Sequence, residues 1–180
     1  SSDITEQEHA ARLLEDKNAA LEKERSLFRA LMDNMPDTIY IKDTECRFLD
    51  GNPFQIKITK AGTKENLLGK TDFDFYPRDI AEIFYKDDKH VLESGKSVIN
   101  KEEIGFDADG NIRVKSTTKV PFKDADGKII GLVGIGRDIT KQKEAEEKLK
   151  EQAKSLQEIN VLLEERQEER IPGDLRDPVM

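Results

Sequence analysis

Asn100, Glu102, Ser116 and Thr118 are the polar residues of this 180-residue chain whose spacing best suits a specific chemical task. They recur at every second position in two segments, between Val98 and Phe106 and between Ile112 and Phe122. The turn between the segments, Asp107 to Asn111, holds Asp109-Gly110, a strong hairpin signal. With Phe106 opposite Ile112, strand alternation puts Asn100, Glu102 and Ile104 on one face with Val114, Ser116, Thr118 and Val120. The apolar members of that face predict that it points inward. Buried polar groups must find partners, so two readings stand open. The four satisfy one another and water, or they hold a small polar ligand between apolar walls, with Phe75 in the same pocket. On the other face Glu103 falls opposite Lys115, a favourable cross-strand charge pair.

Signs of catalysis are absent from the sequence: it has no Gly-rich phosphate loop, no paired His/Cys or Ser/His arrangement, and no kinase or cyclase signature. A single cysteine, Cys46, excludes an internal disulfide framework and a multi-cysteine zinc site, and no metal ligands are assigned. That usage fits a reducing cytoplasm. The net charge of −8 argues against nucleic acid or an anionic membrane as partner. No apolar run reaches the ~20 residues of a membrane span, and no leader peptide opens the chain.

The elements that must position these residues follow from periodicity. Thr5 to Asn34 reads as one helix, with Leu14, Leu21, Phe28 and Met35 every seven residues and Asn18 in a second seam position. This predicts a parallel coiled-coil homodimer, against the alternative of an amphipathic helix lying on its own sheet. Strands over Thr38–Lys42 and Arg47–Leu49 come next, then helical text from Phe54 to Lys60, a turn capped by Thr63, and a helix from Asp79 to Ser94 ending at Gly95. Three strands fill Ser97 to Thr140. The third, Lys128 to Gly136, is almost continuously apolar, which implies cover on both faces. Beyond Ile139, Leu149, Leu156 and Leu163 step by seven in a second coiled coil whose other seam position stays open. Strands and helices segregate, so the fold class is α+β with an antiparallel sheet. The domains are an N-terminal helix (1–35), an α+β domain (36–140), a C-terminal helix (141–170) and a helix-breaking tail (171–180).

The text Asn34-Met35-Pro36-Asp37 before Ile39-Tyr40-Ile41-Lys42-Asp43, the loop Gly69 to Pro77, Val91 to Gly95, Thr117 to Pro121, and Gly127 through Arg137-Asp138-Ile139-Thr140 together resemble bacterial sensor domains of the PAS family. The resemblance implies a five-stranded antiparallel sheet with helices on one face, a small internal pocket, and a dimer relaying its state to an output domain. Arg137, Asp138, Ile139 and Thr140 would be the relay, with Asp138 or Thr140 capping the outgoing helix. Leu162 to Glu169 looks like connectors in hybrid histidine kinases, so a histidine kinase is the expected output; a diguanylate cyclase or chemoreceptor, or a spacer without ligand, are the alternatives. Cys46-Arg47-Phe48-Leu49 is similar to the flavin-adduct motif of light-sensing relatives, but it falls on the second strand and lacks the preceding Gly-Arg-Asn. Cys46 therefore reads as an ordinary thiol. His90 lies on the helix from which haem-binding relatives ligate iron, but close to its C-terminus, which argues against haem. His9 lacks a phosphoacceptor context. No cofactor is expected beyond an unidentified small polar ligand.

Overall fold

The computed structural model describes residues 2–170, so the tail 171–180 lies outside the described residues. The elements are α1 (Ser2–Asn34), β1 (Thr38–Asp43), β2 (Phe48–Gly51), α2 (Pro53–Thr59), α3 (Lys64–Leu67), a 3-10 turn (Asp72–Asp74), α4 (Arg78–Ser94), β3 (Val98–Phe106), β4 (Ile112–Lys123), β5 (Ile129–Asp138) and α5 (Thr140–Arg170). The five strands form one antiparallel sheet in the order β2-β1-β5-β4-β3. Contacts divide the chain after Asp138, with α5 in a separate unit.

Local chemistry explains the boundaries. Asn52 caps α2 by accepting the Gln55 N–H at 3.0 Å, and Pro53 supplies a preset first helical residue. The same Asn52 side chain accepts the Ile39 N–H and donates to the Asp37 carbonyl, which ties α2 to the start of β1. Thr63 caps α3, and Gly95, at φ 69°, closes α4 with a bond to the Val91 carbonyl. At the β1–β2 turn Asp43 accepts the backbone N–H groups of Glu45 and Arg47, both at 2.9 Å. Phe48, Ala61 and Leu67 form a small apolar core with Tyr40, Ile56 and Phe75 packed against it.

The β3–β4 register is the one expected, with Phe106 opposite Ile112 and Glu103 opposite Lys115. The faces are reversed. Gly105, Thr117 and Lys119 are buried, whereas Asn100 and Glu102 are exposed and Ile104 and Ile112 are 60% and 68% exposed. Ser116, Thr118 and Val114 share that outer side with Ile104 by strand alternation. The apolar residues point out because the covered face is filled by charged side chains that neutralise one another, so polarity is a poor guide to burial here. Phe75 packs on Phe48 at the apolar core, ring centroids 6.1 Å apart.

On β5 the covered face carries Leu132, Gly134 and Gly136, all buried, while Ile135 on the other face is 36% exposed. Leu14, Leu21 and Phe28 of α1 are 61%, 47% and 49% exposed, and Met35 follows the helix end. Leu149, Leu156 and Leu163 of α5 are at least half exposed.

Candidate functional site

The covered face is organised around four buried charges. Lys42, on β1, donates to Asp88 Oδ2 at 2.6 Å and to Asp72, while Lys119, on β4, donates to Asp88 Oδ1 at 2.6 Å and to the Phe84 carbonyl at 3.1 Å. Each of the four side chains is at most 7% exposed. The chain Asp72–Lys42–Asp88–Lys119 thus joins the 3-10 turn, β1, α4 and β4. Burial pulls the Lys42 ammonium down, but Asp72 and Asp88 overcome it and hold Lys42 above the ordinary lysine value, so it stays charged. Burial pushes the Asp72 carboxyl up, against the pull of Lys42. The Lys42 ammonium also lies 4.7 Å from the Phe48 ring centre and 5.1 Å from that of Tyr40.

Glycines on β5 let these side chains approach. A Cβ on Gly134 would lie 2.1 Å from Tyr40 Cζ, so the Tyr40 ring lies directly over that backbone. Beyond it opens a cavity of about 40 Å³ lined by Thr38, Tyr40, Gln55, Asp72, Tyr76, Phe84, Glu103, Lys115, Thr117 and Gly136. That volume holds little more than one water. Thr117 donates to Glu103 Oε1 at 2.5 Å, and Glu103 Oε2 is buried without a hydrogen-bond partner. Burial, followed by nearby acidic groups, raises the phenols of Tyr40 and Tyr76, and the Gln55 side chain hydrogen-bonds Tyr76. Both phenols are neutral donors at physiological pH.

Of the residues assigned to the pocket from sequence, Asn100, Glu102, Ile104, Val114, Ser116, Thr118 and Phe75, none lines this cavity. Asn100 and Thr118 do meet, the Asn100 N–H donating to Thr118 Oγ1 at 3.1 Å, but on the outer face. The cavity is built from their neighbours Glu103, Lys115 and Thr117 and from Asp72, which joins it to Lys42 and Asp88; Lys42, Asp72 and Asp88 were not among the residues expected at the site. One signal was available. Ala81, Phe84, Asp88 and Val91 fall at helical spacing, which places a carboxylate inside the apolar stripe of α4.

Among the other candidates, Cys46 is buried in the turn before β2 at φ 62°, its thiol raised by burial to about 11. His90 is exposed near the end of α4. Arg137 pairs through Nε and Nη2 with Asp37, at 2.9 Å for the shortest contact, and is 67% exposed. Asp138 ends β5 and Thr140 begins α5, where the Lys143 N–H donates to the Ile139 carbonyl. No group of three or more His, Cys, Asp or Glu side chains among the described residues could hold a metal. No helix among them is long and apolar enough to cross a membrane.

Sequence relatives combine this region with different outputs. A diguanylate cyclase of Vibrio cholerae is 30% identical over 69% of this chain and 39% of its own length. The methanogenesis regulatory histidine kinase FilI of Methanothrix harundinacea is 33% identical over 73% of this chain and 15% of its own. The aerobic respiration control sensor protein ArcB of Escherichia coli is 27% identical over 71% and 16%. The chain therefore spans well under half the length of these relatives. Among solved structures, VqmA bound to DPO has a TM-score of 0.57 at 28% identity, over 66% of this chain and 57% of that one. The PAS domain of Bordetella pertussis BvgS has a TM-score of 0.55 at 24% identity, over 74% and 98%, a likeness of fold. The PAS fold family profile matches residues 32–144, which takes in the whole sheet and every helix between its strands, and the chain belongs to the PAS fold family.

Proposed function

We propose that this sensory PAS domain receives its signal at the cavity beside the buried charge chain and passes it, as a dimer, through α5 to an output domain, with a histidine kinase favoured. The observation that carries the reading is the buried Glu103 Oε2, without a hydrogen-bond partner, at the edge of a small, partly open cavity. A carboxylate oxygen left without a donor costs free energy unless a ligand or water completes it. The residues around it come from β1, β3, β4, β5 and the 3-10 turn, so a ligand there can bias the strand that leads into α5. Similarity to VqmA, solved with DPO, supports a small-molecule signal, and similarity to FilI and ArcB supports the kinase output.

Dimerisation and relay are supported by the exposed seven-residue stripes of α1 and α5, which leave Leu14, Leu21, Leu149 and Leu156 in water in a single chain. A ligand-free spacer is the second reading, favoured by the small size of the cavity. The deciding experiment inserts residues after Gln142 in a protein that carries the output domain. One residue rotates the remainder of the helix by about 100°, whereas seven nearly restore the seam. Single insertions lock or invert the output and seven-residue insertions keep regulation. An output indifferent to insertion phase would make α5 a passive tether and refute the relay.

A further inference from the structure

A second cleft adjoins the inner cavity. It measures about 190 Å³, and its walls include Phe54, Ile58, Phe106 and the acidic Asp107 and Asp138. Thr38, Lys115 and Gly136 line both spaces, and of these Lys115 alone has a long, rotatable side chain. Its stem lies over Gly105, the residue opposite Arg113 on β3, which has no side chain to obstruct it. A Cβ there would sit 2.6 Å from Lys115 Cδ. Lys115 is half-buried, and burial lowers its ammonium below the ordinary lysine value although Asp138, Glu103 and Asp107 pull it up.

We propose that the two spaces are one ligand site divided by the Lys115 side chain, and that the site takes a small primary amine whose ammonium group meets the unpaired Glu103 Oε2. Three observations favour a cation over a neutral or anionic guest. The charges Lys42, Asp72, Asp88 and Lys119 already balance one another, so the group left with unmet hydrogen-bonding capacity is a carboxylate. The walls around it include the rings of Tyr40, Tyr76 and Phe84, whose faces attract ammonium groups. The chain's own Lys115, a primary ammonium on a four-carbon stem, already lies between the two spaces directly across the ladder from Glu103. A free amine of similar length would replace it, and Lys115 would swing toward the acidic residues Asp107 and Asp138 of the outer cleft.

This inference rests on the cavity being the sensory pocket, and the test separates the two. The isotopically labelled chain is titrated with n-butylammonium, butyrate and 1-butanol, three probes of equal chain length, while the backbone amides of Glu103, Thr117 and Gly136 are followed by NMR. Butylammonium shifts these amides saturably at millimolar concentration and the other two do not. Glu103→Gln abolishes the response, and Lys115→Met, which removes the competing cation, tightens it roughly tenfold, the effect of one unit charge a few ångströms away in a part-solvated site. Equal or stronger response to butyrate or butanol overturns the amine assignment and leaves the pocket reading intact. No response to any probe overturns both. Unchanged affinity in Lys115→Met, with its spectrum otherwise native, refutes the part assigned to Lys115.

Discussion

Replacing Asp88 with alanine is the most severe single perturbation the buried charge chain allows. Asp88 is fully buried and accepts from both Lys42 and Lys119 at 2.6 Å. Its loss leaves two buried ammonium groups sharing Asp72 alone, one uncompensated charge in a site that water does not reach. Breaking a buried pair in this way costs about 3–5 kcal/mol, because the orphaned partner keeps its desolvation penalty. An exposed pair behaves differently: Arg137, 67% exposed against Asp37, sets an expectation of under about 1 kcal/mol for Arg137→Ala. With a urea m-value of about 1.5 kcal/mol/M, Asp88→Ala should lower the unfolding midpoint by roughly 2–3 M, and Arg137→Ala by less than about 0.7 M. Adding Lys119→Met to Asp88→Ala removes the surplus charge and leaves the Lys42–Asp72 pair, so the double variant should recover about 1–3 kcal/mol relative to additivity. Chemical denaturation followed by circular dichroism measures all three. A loss below about 1 kcal/mol for Asp88→Ala, or strict additivity with Lys119→Met, would refute the electrostatic account of this face.

Two further outcomes come from the same packing. Gly134→Ala puts a methyl group 2.1 Å from Tyr40 Cζ and should cost about 3 kcal/mol, whereas Gly62→Ala, with open space around it but φ 79°, should cost only about 1–2 kcal/mol; comparable midpoints for the two would mean that the Tyr40 ring can move aside. Burial raises the Cys46 thiol from 9.0 to about 11 and lifts Tyr40 and Tyr76 as well. The folded state therefore keeps protons that the unfolded state releases: stability is complete below about pH 9 and falls as the pH rises through about 9–11, by roughly 2 kcal/mol from Cys46 alone. Urea midpoints across that range, with thiol-reagent rates near pH 8 that stay slow until unfolding, check it.

Much of this molecule is legible in its sequence because the signals are local. The turn Asp107 to Asn111 sets the β3–β4 register, Thr63 and Gly95 mark helix ends, and strand and helix periods place each strand and α-helix within a few residues, while the 3-10 turn Asp72–Asp74 falls in what reads as a loop. The motif order that identifies a PAS sensor is likewise a property of the chain. Which face of β3 and β4 is covered was decided only by tertiary structure. Alternation tells which residues share a face, but the choice of inner face weighs a chain of charges from four separate elements against exposed isoleucines. Lys42, Asp72, Asp88 and Lys119 lie as far as 77 residues apart in sequence, and apart from Asp88, which falls in the apolar stripe of α4, each alone reads as a surface residue. Brought together, each ammonium finds a carboxylate within hydrogen-bond distance, and four groups that would be prohibitive to bury singly form a neutral network beside the site, which Asp72 alone of the four lines.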